Sequence, residues 1–231
     1  MTTLDREFAA MRGSGRPDEY RTSNGERVPS VTTILGRFKD SAGLLRWANT
    51  EGLEGRKLYA DKAAVEVGSL VHHMVEASLH GVDPPSIPDD YSERVSSAFG
   101  AWQRWWRVNV FEILATEIPI VSEEWRFGGT IDLVLRDSDG RVCLGDIKTS
   151  NAVYGDYLLQ LAAYGNLWNE SALENIRPLG RITGGFHLVR FSKEHGDLEH
   201  RHFPELEDAW TMFKLLRQSY ELDKIIRKRA K

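Results

Sequence analysis

The chain has 231 residues, 41% apolar and 28% charged, with a net charge of −4 at pH 7; that composition supports a buried core and fits one large domain. No apolar run approaches membrane-spanning length, the N-terminus shows no signal-peptide pattern, and Asp5, Glu7, Asp18 and Glu19 argue against an acid-poor transit peptide. The single cysteine, Cys143, excludes an internal disulfide and a cysteine-held iron–sulfur cluster, so the expected address is a reducing cytoplasm, bacterial or that of a phage-infected host.

The segment "YRTSNGERVP" predicts a small hairpin, with Asn24-Gly25 supplying left-handed turn positions. Ser30 then caps a helix through about Phe38, and two or three further helices run to His80. Three prolines and a glycine make "HGVDPPSIPDD" a loop. A helix follows from about Tyr91 to Arg107, and within it Phe99, Trp102 and Trp106 have core spacing, so packing outweighs base stacking for "WQRWWR". The pattern then turns to strands in "FEILATEIPIV", "EWRFGGTIDLVLR" and "RVCLGDIK", the last two joined by "DSDG". "YGDYLLQLAAYGNLW" has helical period, "ITGGFHLVRF" and "LEHRHF" are strands, and a helix from Glu205 closes the chain. Helices, three strands, helix, two strands, helix: the order predicts a single α/β domain over residues 1–231. In it, 1–108 form a hairpin and helical layer, and 109–231 form a core with a mixed sheet.

Net charge does not advertise a nucleic-acid partner, but local field counts for more than the total. Basic residues gather at Arg12, Arg16, Arg21 and Arg27, at Arg104 and Arg107, and in the tail "KIIRKRAK", which also fits a solvated helix end.

In "CLGDIKTS", strict alternation puts Asp146 and Lys148 on one face of a strand. A surface ion pair there would be worth little. In "GGTIDLVLR", the same alternation groups Thr130, Asp132 and Val134 on one face, with Ile131, Leu133 and Leu135 on the other. If Asp132 joins Asp146, two carboxylates about 4 Å apart repel by roughly 4 kcal/mol at an effective dielectric near 20. One lysine offsets part of that; a divalent cation with oxygen ligands offsets it better. The stripe Gly68, His72, Glu76 runs along one side of a helix whose neighbouring side, Val67, Leu70, Val71, Met74 and Val75, is apolar. Taken alone, the stripe also fits an interface histidine with a surface glutamate. His73 and His80 lack such geometry and are assigned to solvent. Gln160 and Tyr164 lie one helical turn apart, sharing a face with Tyr157 and Trp168, an ordinary amphipathic pattern by itself. Glu117, amid apolar residues in "TEIPIV", needs solvent or a partner.

These pieces, in this order, resemble the RecB-like branch of the PD-(D/E)xK nucleases, whose fold is restriction-endonuclease-like. The resemblance rests on Gly68-x-x-x-His72-x-x-x-Glu76, Gly129-Thr130-Ile131-Asp132, Asp146-Ile147-Lys148-Thr149 and Gln160-x-x-x-Tyr164, with "VPSVTTIL" and "LLRWA" similar to phage-type and mitochondrial genome maintenance exonucleases. It spans about residues 20–165. It implies Mg²⁺ or Mn²⁺ held by Asp132, Asp146, the Ile147 carbonyl and His72, with Glu117 and Glu76 joining through bound water. Lys148 would orient or activate the attacking water, and Gln160, Tyr164, Gly68 and Thr149 would contact DNA. The implied activity is exonucleolytic hydrolysis of single-stranded or frayed DNA, with recombination or replication proteins as possible partners. An endonuclease on the same site and a non-catalytic DNA-binding relative are the alternatives. Asp146 stands where many relatives carry glutamate, and the cluster-binding cysteines of some relatives are absent.

Overall fold

The computed structural model describes residues 17–38, 49–50, 52–55, 60–171, 176–192 and 196–230. The hairpin forms as its turn residues dictate: β1 (Tyr20–Arg21) pairs antiparallel with β2 (Arg27–Val28), and Gly25 takes a φ of +84°. Helix α1 (Val31–Phe38) starts where Ser30 Oγ accepts the Thr33 N–H at 3.0 Å, as an N-cap hydroxyl should. Next come α2 (Ala60–His80) and α3 (Asp89–Val108), separated by the proline loop. Arg12, Arg16 and "LLRWA", together with any helix over 39–48, lie outside the described residues.

The core is a five-stranded mixed sheet in the order β3 (Glu112–Ser122), β4 (Phe127–Arg136), β5 (Val142–Lys148), β6 (Ile182–Phe191), β7 (Leu198–Phe203). Only β5 and β6 run parallel, and α4 (Gly155–Glu170) crosses between them. A 3₁₀ turn at Arg177–Leu179 precedes β6, and α5 (Glu207–Arg229) follows β7. The chain is thus α/β, with a mixed sheet flanked by helices.

Both sheet faces are covered, which is why β4 and β5 read as almost continuous apolar runs. On one face, Val67, Val71 and Val75 of α2 and Val95, Trp102 and Trp105 of α3 pack on Leu133, Leu135, Cys143, Ile147, Val189 and Phe191. On the other, α1, α4 and α5 bring Ile34, Leu161, Leu167 and Phe213 against Phe127, Ile131, Val134, Leu144 and Leu188. Trp102 packs as its spacing predicts. Trp105 of the same helix is also buried, while Phe99 and Trp106 are only partly covered.

Three local expectations are corrected. Residues 123–126 are turns, with Arg126 at φ +57°, so β4 begins at Phe127 and not at Glu124. His80 is not a solvent residue: its Nε2 lies 2.9 Å from Thr116 Oγ1 across the layer boundary. The β4 face assignment is wrong as well. Ile131 and Val134 share one core cluster while Leu133 and Leu135 belong to the other.

Candidate metal centre

That last correction locates the site. Strict alternation would put Asp132 with Val134; instead Asp132 and Leu133, adjacent in sequence, line one small cavity beneath α2 together with Thr116 and Glu117 of β3. The pleat is broken on both strands at once. The cause is Glu117, whose φ of +50° lies in the left-handed region that a non-glycine residue rarely adopts. Thr116 pairs with Leu133 and Ile118 with Ile131, so register is preserved around the kink while the side chains are turned. Strained backbone of this kind persists only where surrounding structure holds it, and it clusters at functional sites.

A second irregularity lies across the next strand pair. Partners between β4 and β5 run from Arg136 and Val142 to Leu133 and Gly145 and stop there. Beyond that point the strands fork, and a side chain replaces the ladder: Asp132 Oδ2 accepts the Ile147 N–H at 3.0 Å. Asp132 therefore occupies the crotch of the fork. Asp146 and Lys148 lie just across it on β5, where Asp146 pairs with Leu188 and Lys148 with Arg190 of β6.

The helix above completes the group. His72 Nδ1 lies 3.8 Å from both Glu117 Oε1 and Asp132 Oδ2. Ligand atoms of His72, Glu117 and Asp132 all fall within 4.8 Å of one another, forming the one such cluster among the described residues. The cavity they line, with Glu76 and Ile147 on its wall, has a volume of about 10 Å³, which is room for a single water-sized particle. Octahedral Mg²⁺, with oxygens about 2.1 Å away, sets neighbouring ligands roughly 3 Å apart, so each 3.8 Å separation from His72 needs to close by about 1 Å.

The unsatisfied atoms test whether a cation suits the site. Asp132 Oδ1 is buried without a hydrogen-bond donor, and neither oxygen of the fully buried Asp146 receives a well-directed hydrogen bond. Asp146 Oδ2 instead meets the Lys148 ammonium at 2.5 Å in an ion pair. Burial pushes the Asp146 carboxyl up to about 6, Lys148 pulls against that rise, and Asp132 adds to it by repulsion. Burial opposes charge on His72, yet Asp132 and Glu117 outweigh it and raise the imidazole above its ordinary value. Buried carboxylate oxygens without donors beside an imidazole are the donor set of Mg²⁺ or Mn²⁺.

The remaining expected residues are distributed around this centre. Asp146 and Lys148 are neighbours of the trio and not members of it. Gly68 sits against β5: a Cβ there would lie 2.9 Å from Thr149 Oγ1, so this position brings α2 close to the strand end. Glu76 lines the cavity without an assigned bond to the trio. Gln160 and Tyr164 are buried, and Gln160 Nε2 donates to Tyr164 Oη at 2.7 Å. The Tyr164 ring packs on Gly129, where a Cβ would approach to 2.5 Å. Tyr164 and Gly129 also border a groove of about 420 Å³ whose walls carry the acids Asp18 and Glu19 as well as Arg27 and Lys224, with Arg27 paired to Glu19 at 3.0 Å.

Two contributors lie outside the sequence reading. Thr116 walls the cavity and is held by His80. Tyr20 reaches from the hairpin to place its hydroxyl 2.7 Å from Thr130 Oγ1, two residues from Asp132. Nothing in either local sequence marks these roles.

No family model matches the chain, and no curated protein matches it. Among solved structures it is similar to the crystal structure of SSO0001, at 15% identity over 95% of this chain and 82% of that one, with a TM-score of 0.40. A likeness at that level carries no functional argument.

Proposed function

We propose that the chain is a metal-dependent deoxyribonuclease with a PD-(D/E)xK core, hydrolysing phosphodiester bonds from free ends of single-stranded or frayed DNA. The observation that carries this reading is the cluster beside the fork between β4 and β5. There His72, Glu117 and Asp132 lie within 4.8 Å of one another, with the buried Asp146–Lys148 pair on the adjoining strand. Mg²⁺ or Mn²⁺ held by His72, Glu117 and Asp132 would supply charge neutralisation on the phosphate and lower the pKa of water. Asp146 holds the Lys148 ammonium at the rim, where Lys148 orients the attacking water and offsets charge developing on the phosphate.

The end-directed part rests on α2, which stretches over the site and delivers His72 from above. A site roofed by a helix in this way would admit a strand from its end more readily than a duplex from its side. The test is digestion of 5′- and 3′-labelled linear strands, duplexes and closed single-stranded circles with Mg²⁺, Mn²⁺ or chelator. Linear strands are expected to be degraded much faster than circles, with no early internal cuts and no activity in chelator. Circles nicked at a comparable rate would reassign the chain as an endonuclease on the same centre. No cleavage of any substrate with either metal would defeat the nuclease reading.

A further inference from the structure

The last helix has two apolar sides, and the fold uses one of them. Phe213 and Arg217 of α5 are buried, with Trp210, Leu216 and Tyr220 packed partly into the same cluster. On the opposite side Met212, Leu215, Leu222 and Ile226 are 47%, 55%, 60% and 63% exposed. Single exposed apolar side chains are ordinary, but a contiguous stripe is not. With Ser219 between them, positions 212, 215, 219, 222 and 226 advance in steps of three and four. That alternation keeps side chains on one seam facing a partner helix. The seam is about 21 Å long at 1.5 Å per residue.

Charge along α5 selects the occupant. Its first turn carries Glu207 and Asp208, and its last turn carries Arg227, Lys228 and Arg229. A second α5 laid parallel would stack acid on acid and base on base. Laid antiparallel, it sets each acidic start beside a basic end, twice, and opposes the helix dipoles. Ser219 lies midway between Met212 and Ile226, so a two-fold axis near it pairs the two halves of the seam, and its small side chain permits close approach.

We propose that this face of α5 is the isologous interface of an antiparallel, two-fold dimer of this chain. The proposal is independent of the nuclease reading. Five seam positions per copy cover less than the roughly 800 Å² per partner of a standard stable interface, so the association is reversible and concentration-dependent.

Sedimentation equilibrium of the full chain, from about 1 to 500 µM, tests it, with half-association expected in the tens of micromolar, roughly. Leu222→Glu with Ile226→Glu should remain monomeric throughout, with unchanged circular dichroism, because both positions are exposed in the single copy. Arg227→Glu, Lys228→Glu and Arg229→Glu together should weaken association at least about tenfold. Adding Glu207→Lys and Asp208→Lys to that variant should restore it. A wild-type monomer at about 500 µM overturns the proposal and leaves the face to a different partner. So does a dimer indifferent to the Leu222 and Ile226 changes. Failure of the double charge reversal to restore association overturns the antiparallel arrangement.

Discussion

Replacing Asp146 by asparagine should stabilise the metal-free protein at neutral pH while leaving the His72, Glu117 and Asp132 trio in place. The carboxyl is fully buried, its titration is raised from an ordinary value of 3.8 to about 6, and burial is the largest cause. A group whose folded value lies above its unfolded one contributes fully below about 3.8, and that contribution is lost as pH rises through 6. Above pH 6 the ionised form therefore costs on the order of 3 kcal/mol relative to its neutral form. Asparagine keeps the shape and removes the charge. The gain has 3 kcal/mol as its ceiling, because Lys148 loses its anionic partner; a net stabilisation of roughly 1–2 kcal/mol is expected. Urea unfolding at pH 4.5, 6 and 8 in chelator gives the comparison. Wild type should lose stability relative to the variant as pH rises over that window, and the two should agree best at pH 4.5. Adding Mn²⁺ at about a hundred times its Kd should add roughly 2.7 kcal/mol to both proteins, since His72, Glu117 and Asp132 remain in each. An Asp146→Asn protein less stable than wild type at pH 8 in chelator would refute the claim that this buried carboxylate is ionised at a cost to the fold.

Lys148→Ala should abolish cleavage while calorimetry still registers Mn²⁺ binding, since His72, Glu117 and Asp132 remain; near-normal turnover would remove Lys148 from the chemistry. His72→Ala should reduce activity most with Mg²⁺ and be partly relieved by Mn²⁺, which accepts mixed nitrogen and oxygen shells more flexibly; equal loss with both metals would return His72 to a packing role. Gly129→Ala must displace the buried Tyr164 ring, whose Cε1 would lie 2.5 Å from the new Cβ, and should cost roughly 1–3 kcal/mol by thermal or urea unfolding. His187 is held down to about 4 by burial and by the neighbouring His200 and His202. Its contribution is present above about 6.5 and lost as pH falls toward 4, so His187→Gln should flatten acid destabilisation by up to about 3 kcal/mol. This slope opposes that of Asp146 over the same pH range, so the single variants are needed to separate the two.

Most of the architecture was legible because several independent signals agreed. Asn24-Gly25 required a turn, Ser30 offered an N-cap, and the prolines after His80 forbade a helix. The apolar side of α2, Val67, Val71 and Val75, packs where its period indicated. Candidate site residues were legible only as a set, since Asp146-x-Lys148 or a lone His72 is compatible with a surface pair or an interface histidine. What sequence spacing could not deliver was aim. Alternation is a statement about regular pleat, and it holds for Val134 and Leu135 but fails between Ile131 and Leu133. No residue type announces that failure: Glu117 takes its left-handed φ without a glycine to mark it.

The failure is also what makes the site possible. In a regular pleat, Asp132 would face away from α2, and His72 would have met only Leu133 and its apolar neighbours. Turning Glu117 brings two carboxylates to the α2 side, where the imidazole lies 3.8 Å from each. The fork contributes the rest. Where the ladder ends at Leu133 and Gly145, the Ile147 N–H needs an acceptor, and Asp132 Oδ2 provides it, leaving Oδ1 without a donor. One side chain thus repairs the sheet and leaves a lone pair that a cation would take. Loss of Asp132 should therefore weaken metal binding and the fold together, whereas loss of Lys148 should spare metal binding and cost stability only by leaving the buried Asp146 without its counter-charge. Comparing Asp132→Asn with Asp132→Ala by urea unfolding in chelator isolates the fork. Asn can still accept from Ile147, so it should retain most of the stability, while Asp132→Ala, which strands a buried N–H, should lose roughly 1–3 kcal/mol. Equal stability of the alanine and asparagine variants would show that the carboxylate does not hold the fork.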